Sequence, residues 1–255
     1  MLLAIDVSNT TIKTGVFDGD RLVAHHRLAS DRARTADEYG LTLTGLVAES
    51  GVSRDAVRGV SLSCVVPQLR AVFVDVARRY FRQDPLVIGP DSRLGVALDV
   101  DHPREVGADR IVNAHATYAR VGGPAIAIAF GTATVFDCVT GDGRYVGGAI
   151  APGMVTSLES LAQRAAQLFQ IELVAPPRAI GTSTVTTMQS GLVYGFAGLV
   201  EGLVARLSAE LGGTPRVIAT GGLAEIVAPV TRAIHTVEPH LTLEGLRLLH
   251  ELHHA

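Results

Sequence analysis

Residues 1–17 of the chain read MLLAIDVSNTTIKTGVF, and the prediction of the fold starts from this stretch. The apolar run at residues 2–5 is typical of a strand that is buried on both faces. A small polar turn at residues 6–11 follows, and the apolar alternation of residues 12–17 indicates a second strand at hairpin distance. The stretch therefore predicts a β-hairpin that carries a polar turn.

The polar turn combines an acid, Asp6, with an amide and several hydroxyls. Hydroxyls and backbone N–H groups can bind phosphate oxygens, while the carboxylate faces the accompanying cation, directly or through water. Ordinary β-turns prefer the same residue types, with Asp and Asn satisfying only the local backbone. Both interpretations stay open on this stretch alone, and later motifs favour the phosphate site.

Size and composition limit the classes of protein that the chain can represent. Its 255 residues suit one large domain or two of ordinary size, and they can bury a core without disulfides. The formal net charge of −3 gives no electrostatic case for nucleic-acid binding. Cys64 and Cys138 both lie in apolar runs, which predicts buried free thiols.

Several nucleotide-binding and hydrolase motifs are missing from the sequence. Lys13 is the only lysine, so the Gly-Lys-Ser/Thr of a P-loop does not occur, and neither G-x-G-x-x-G nor G-x-S-x-G is found. The first residues lack the basic region of a signal peptide, and no apolar run reaches the ~20 residues of a membrane span. We expect a soluble cytoplasmic protein without a membrane segment.

The pattern after the hairpin alternates strands and helices and then repeats itself. Thr35 and Glu38 form a capping box that predicts a helix to about residue 50, and Pro67 starts another helix after a buried strand at residues 58–65. The segment 125–139 again shows an apolar strand, a Gly/Thr turn and a second strand. We predict two homologous α/β domains, residues 1–118 and 119–255, whose two turns face each other and hold one nucleotide.

Residues 105–110, EVGADR, lie where a Gly- and Pro-rich loop turns into a helix. Gly107 permits a close backbone approach, and an acid such as Asp109 is favourable near a helix start. Asp109 and Arg110 could equally be a solvated acid and its neighbour, and the segment alone leaves both interpretations open.

The last residues include H-E-x-x-H, the helix signature of zinc proteases, at His250 and His254. His254 is the penultimate residue, where helices fray, and nothing upstream is arranged as a third ligand. A surface helix end, whose histidines complement the negative end of the helix dipole, is the better interpretation.

With these segments placed, the chain resembles the type III pantothenate kinases of the acetate-kinase/sugar-kinase/Hsp70/actin superfamily. The resemblance covers nearly the whole chain, and its motifs occur in the order of the family. These motifs are Asp6-Val7-Ser8-Asn9-Thr10, Val65-Val66-Pro67, the segment 103–110, Gly131-Thr132-Ala133-Thr134, the segment 147–153, Gly181-x-x-Thr184, Thr220-Gly221-Gly222 and the segment 241–246. The resemblance implies an α/β fold of two RNase H-like domains, mixed sheets flanked by helices, with a nucleotide cleft between them.

The resemblance also implies ATP-dependent phosphorylation of pantothenate, the first step toward coenzyme A. Asp109 would be the general base, Asp6 would hold Mg²⁺, and Gly107, Ala108 and Arg110 would shape the pantothenate site. In a homodimer, the partner subunit's Thr184 would also reach pantothenate. The residues implied in ATP binding are Asp6, Val7, Ser8, Asn9, Thr10, Thr11, Ile12, Lys13, Gly131 and Thr132.

Three positions depart from the pattern of the family. Ser8 replaces a glycine, Val100 aligns with a tyrosine of the substrate pocket, and Ala129 replaces an aspartate. In the family that aspartate binds the monovalent cation, K⁺ or NH₄⁺, so its loss puts the cation site of this chain in doubt.

Two other functions compete with an active pantothenate kinase. Ala129 and Val100 are compatible with a non-catalytic nucleotide-binding paralogue, and a kinase for another small alcohol is the third possibility. The retention of both Asp6 and Asp109 favours an active enzyme, because a binding module does not need a general base.

Overall fold

A computed structural model describes residues 1–254 of the chain, and these residues divide into two units. The first unit contains residues 1–95, 101–116 and 242–254, and the second contains residues 96–100 and 117–241. These units differ from the predicted domains, 1–118 and 119–255, chiefly in the segments 96–100 and 242–254. The domain boundaries and the interdomain nucleotide cleft stay predictions.

The first unit is built on a five-stranded mixed sheet with the order β3-β2-β1-β4-β5. Strand β1 pairs antiparallel with β2 and parallel with β4, so the predicted hairpin is confirmed and lies at the centre of the sheet. The strands are β1 (Leu2–Val7), β2 (Thr11–Asp18), β3 (Arg21–Ala29), β4 (Gly59–Cys64) and β5 (Leu86–Val87).

Two helices lie between these strands along the chain, α1 (Ala36–Glu49) and α2 (Pro67–Tyr80), and a third, α3 (Ala108–Val121), follows them. The predicted capping box of α1 is confirmed, because the Thr35 side chain accepts from the Glu38 N–H while Glu38 accepts from the Thr35 N–H. Apolar side chains of β1 and β4 pack with those of α1 and α2 in one buried core. Short 3₁₀ turns at Arg54–Ala56 and Pro103–Glu105 complete this part of the chain.

The second unit contains a six-stranded sheet with the order β11-β10-β7-β8-β9-β6. Its strands are β6 (Ala97–Leu98), β7 (Ala125–Phe130), β8 (Ala133–Val139), β9 (Arg144–Pro152), β10 (Arg216–Thr220) and β11 (Thr236–Val237). Its helices are α4 (Met154–Arg164), α5 (Thr184–Leu211) and α6 (Ala224–Val227), followed by a 3₁₀ turn at Ala228–Val230. Helix α4 ends at Arg164 because the backbone becomes extended at Ala165.

The two sheets have the same connectivity, which confirms the predicted repetition. In each, an antiparallel three-stranded meander begins with the central strand, and that strand also pairs in parallel with a later strand. The short strand β6 is an addition to the second sheet that the sequence analysis missed, because two residues carry too little periodicity to detect.

The last helix, α7 (Leu241–His254), returns to the first unit from residue 242 onward. Leu246 and Leu249 are fully buried, and the Thr242 hydroxyl donates to Asn113 Oδ1 of α3 at 2.8 Å. A Cβ at Gly245 would lie 2.6 Å from the Val112 carbonyl oxygen, so glycine allows the backbones of α3 and α7 to approach closely. The sequence analysis identified the helix but not where it packs.

Helix α5 has 28 residues and is long and apolar enough, by length and composition, to cross a membrane. Only 33% of its most apolar window is buried. The core helix of a soluble protein passes the same test, so the expected absence of a membrane segment stays a prediction. Cys64 and Cys138 are both thiols as expected, although only Cys138 is buried and Cys64 is half-buried.

Candidate active site

The register of the first sheet places Asp6 of β1 between Lys13 of β2 and Ser63 of β4. Side chains of paired residues on neighbouring strands project from the same face of a sheet. Three polar side chains therefore meet on one face. The sequence analysis placed Asp6 in the polar turn, but β1 continues through Val7 because Asp6 is paired on both sides.

The Asp6 carboxylate is almost fully buried, with 1% of its surface exposed. The Ser63 hydroxyl donates to its Oδ1 at 2.5 Å, and the Ser8 hydroxyl donates to its Oδ2 at 3.1 Å. Lys13 Nζ lies 3.8 Å from the same Oδ2 atom. These contacts offset the cost of removing a carboxylate from water, and they give its two oxygens different surroundings.

Asp109 lies in the first turn of α3 and belongs to the same unit as Asp6. Burial, followed by the negative charge of Asp6, raises the pKa of Asp109 to about 6. The N–H of Arg110, at 2.9 Å, and the positive charges of Arg110 and Lys13 oppose this rise. Asp109 is half-buried by its exposed surface, and desolvation beside a charged neighbour is typical of functional carboxylates.

Gly107 shapes the backbone in front of Asp109. A Cβ at this position would lie 2.7 Å from Asp109 Oδ1 and 3.6 Å from Val65, which follows β4. Any other residue would push the carboxylate away from its present position. Ala108 is buried, and Arg110 is half-buried beside it.

The turn between β1 and β2 is shorter than predicted and consists of residues 8–10. It is closed by a hydrogen bond from Ser8 N–H to the Thr11 carbonyl, and Ser30 N–H donates to the Thr10 carbonyl. Asn9 is exposed. Val7 and Ile12 have fully buried side chains, so only their backbone groups are available to a ligand.

In the second unit, Gly131 and Thr132 form the turn between β7 and β8. The Thr132 carbonyl accepts from Gly153 N–H at 3.0 Å and from the Thr156 hydroxyl at 2.8 Å, which joins the turn to the start of α4. A Cβ at Gly153 would lie 2.3 Å from the Gly131 carbonyl oxygen, so glycine is required there. The side chain of Thr132 stays exposed.

Thr184 is the first residue of α5, directly after the N-cap Ser183. It lines a cavity of about 870 Å³ that Leu161, Gly181 and Met188 also line. None of the residues around Asp6 and Asp109 lines this cavity.

The profile of the type III pantothenate kinase family matches residues 2–206 of the chain. The chain belongs to the type III pantothenate kinase family. It is 52% identical to the type III pantothenate kinase of Roseiflexus castenholzii over 252 residues, which cover 99% of both chains. The enzymes of that name from Moorella thermoacetica and Myxococcus xanthus are 51% and 48% identical and are covered to 99% and 100%.

Solved structures support the fold. A protein from Campylobacter jejuni, described as belonging to the Baf family of transcriptional activators, superposes with a TM-score of 0.62 at 15% identity, with 98% of both chains covered. The polyphosphate/ATP-glucomannokinase of an Arthrobacter strain gives a TM-score of 0.52 at 17% identity over 99% of both chains. Two mixed sheets flanked by helices are thus the architecture of sugar kinases as well. Family membership confirms the activity that the sequence implied, which is phosphorylation of pantothenate in coenzyme A biosynthesis.

The residues present do not fit the monovalent cation that the resemblance implies. Ala129 presents a methyl group, and its paired neighbours on β8 and β10 are Val135 and Thr220. A methyl group cannot ligate K⁺ or NH₄⁺. The Thr220 hydroxyl is buried and has no hydrogen-bond partner within the described part of the chain.

Ser63 is absent from the site residues predicted from the sequence, although the pattern of residues in β4 marks it as unusual. In the buried strand β4, the hydroxyls of Ser61 and Ser63 alternate with apolar residues, and polar residues are uncommon in such strands. The pattern marks both serines as unusual. Only the pairing of β4 with β1 shows which of them faces the Asp6 carboxylate.

Proposed function

We propose that Asp109 is the general base that accepts the hydroxyl proton of pantothenate as ATP donates its phosphoryl group, and that Asp6 holds the accompanying Mg²⁺. The observation that carries this proposal is the electrostatic repulsion between two carboxylates that lie in different environments. Asp6 is surrounded by hydrogen-bond donors and a lysine, while Asp109 has a pKa raised to about 6. Two titratable groups with different environments are characteristic of separate catalytic roles.

Asp109 is ionised at neutral pH, since its pKa of about 6 lies below 7, and it can accept the proton of a primary hydroxyl. An alcohol is far too weakly acidic to ionise before it attacks. The base therefore orients the hydroxyl and accepts its proton late, as a loose phosphoryl transition state requires. Gly107, Ala108 and Arg110 would form the pantothenate site beside it.

Asp6 fits a Mg²⁺ ligand by the chemistry of its donors. Mg²⁺ in kinases is bound by one or two carboxylates together with substrate phosphates, and Oδ2 of Asp6 is the oxygen that faces Ser8 and Lys13. When bound, the ion neutralises charge on the phosphates. The side chains or backbone groups of residues 6–13, together with Gly131 and Thr132, would bind ATP.

We further propose a homodimer in which the partner subunit's Thr184 completes the pantothenate site. Seven of the nine large hydrophobic side chains that are exposed among the described residues belong to the segment 146–180. These are Val146, Ile150, Val155, Leu161, Phe169, Val174 and Ile180. Such a concentration of exposed apolar surface is typical of an interface.

Sedimentation velocity tests the dimer with two substitutions in that segment, Ile150→Glu and Ile180→Glu. Each is expected to shift the protein toward the monomer. Leu41→Glu is the matched control, because Leu41 is 67% exposed but lies in the first unit. A monomeric wild type would contradict the proposal.

A coupled assay of ADP release with pantothenate tests the enzymatic function, with Asp109→Asn as the inactive control. Turnover that requires pantothenate supports the proposal. Turnover with other small alcohols but not with pantothenate would indicate a different kinase, and ATP binding without turnover would indicate the non-catalytic paralogue. The proposal also places the enzyme in the cytoplasm, without a nucleic-acid or membrane partner.

A further inference from the structure

Strand β4 contains two buried serines in similar positions. Ser61 and Ser63 are both 0% exposed and, being two residues apart, lie on the same face of the sheet. Ser63 pairs with Asp6 and its hydroxyl donates to the carboxylate, whereas Ser61 pairs with Ala4 and its hydroxyl has no partner within residues 1–254. The register alone gives the two hydroxyls different roles.

The hydrogen bond from Ser63 gives the two oxygens of the Asp6 carboxylate different contacts. Oδ1 accepts from Ser63 at 2.5 Å inside the sheet, while Oδ2 lies near the Ser8 hydroxyl and Lys13 Nζ at 3.1 and 3.8 Å. The terminal torsion of an aspartate is broad and turns easily unless a neighbour holds it. An ionised carboxylate only accepts hydrogen bonds, so the Ser63 hydroxyl must be the donor.

We propose that Ser63 is a positioning residue that holds the plane of the Asp6 carboxylate and thereby directs Oδ2 toward Mg²⁺ and the phosphates of ATP. This inference rests on the proposed role of Asp6 as the Mg²⁺ ligand. Ser63 does not touch the reacting atoms. It is joined to Asp6 across 57 positions of the sequence by the parallel pairing of β1 and β4.

The test measures the affinity of the full-length protein for MgATP by isothermal titration calorimetry over a range of Mg²⁺ concentrations. Ser63→Ala is expected to weaken Mg²⁺-dependent ATP binding roughly 10- to 100-fold, because removing a group that orients a metal ligand typically costs that much affinity. Ser61→Ala, which removes the same atom two residues away, is expected to change binding less than about twofold. A general defect of β4 would affect both variants alike.

Ser63→Cys serves as a second variant if Ser63→Ala does not fold, as judged by circular dichroism. The thiol is a weaker donor than the hydroxyl, so Ser63→Cys is expected to bind MgATP more weakly than both the wild type and Ser61→Ala. Binding by folded Ser63→Ala, or by Ser63→Cys in its place, that matches Ser61→Ala at all Mg²⁺ concentrations would overturn the inference. The readout is binding rather than turnover, so failure of the wild type to phosphorylate pantothenate would contradict the proposed function without deciding the role of Ser63.

Discussion

The negative charge of Asp6 raises the pKa of Asp109, although the two residues come from different elements of the first unit. Asp109 is therefore sensitive to anything that changes the charge around Asp6. Neutralising Asp6 removes one of the two causes that raise the pKa of Asp109, so that pKa should fall. The proposed Mg²⁺ ligand and the proposed general base are thus coupled by electrostatics.

The first prediction concerns the pH dependence of turnover. Asp109 has a pKa of about 6, and the proposed general base must be ionised to accept a proton, so kcat/KM should fall about tenfold per pH unit below pH 6. Lys13→Gln removes a positive charge that lowers the pKa of Asp109, so that pKa should rise. Lys13→Arg keeps the charge and is the control. Carbon-13 NMR titration of the carboxyl groups measures the pKa of Asp109. An unchanged or lower pKa in Lys13→Gln would disprove the influence of the Lys13 charge on Asp109.

The second prediction separates activity from stability at Asp109. Asp109→Asn should lower kcat by about 10²- to 10⁴-fold, the usual contribution of a general base. The raised pKa means that ionised Asp109 destabilises the folded protein as the pH rises through about 6. At pH 8 the variant should therefore be more stable by roughly 1 to 3 kcal/mol, and the difference should vanish below about pH 3.8.

Urea denaturation at pH values between 3.5 and 8 measures this difference. Asp75→Asn changes an exposed aspartate of α2 and is the control, with an expected effect within about 0.5 kcal/mol at all pH values. Destabilisation of Asp109→Asn at pH 8 would show that the carboxylate is better compensated than its environment indicates.

The third prediction concerns Gly107. A Cβ there would lie 2.7 Å from Asp109 Oδ1, so Gly107→Ala should displace the base and lower kcat by at least about tenfold. Gly45→Ala is the matched control, because a Cβ at Gly45 meets nothing within 4 Å and the residue lies inside α1. That control should stabilise the protein by about 0.4–1 kcal/mol and leave the rate unchanged. Equal kcat values for the two variants would show that Gly107 does not position Asp109.

The fourth prediction concerns the monovalent cation. Ala129→Asp restores a carboxylate next to the buried Thr220 hydroxyl, which can donate to it. We expect higher activity and a new dependence on K⁺, measured as ADP release in KCl and in tetramethylammonium chloride. Ala129→Asn has a similar size without the charge and should not respond to K⁺. An unchanged rate in Ala129→Asp would show that position 129 does not control cation use.

The sequence by itself determined the local strands and helices and the polar residues at their ends. The hairpin of β1 and β2, the capped start of α1 and the repeated strand–turn–strand at residues 125–139 all follow from periodicity and capping, which act over a few residues. The motif around Asp109 carried the likeness to the family for the same reason, since its glycine and acid lie only two residues apart.

Only the tertiary structure decided which distant groups meet. Ser63 contacts Asp6, and α7 packs on α3, because strand register and helix packing bring together residues that are far apart in the sequence. A register shifted by one residue would have turned Ser63 to the opposite face, and no local pattern excludes that shift. The raised pKa of Asp109 likewise depends on burial and on a charge from another strand, which exist only once the chain has folded.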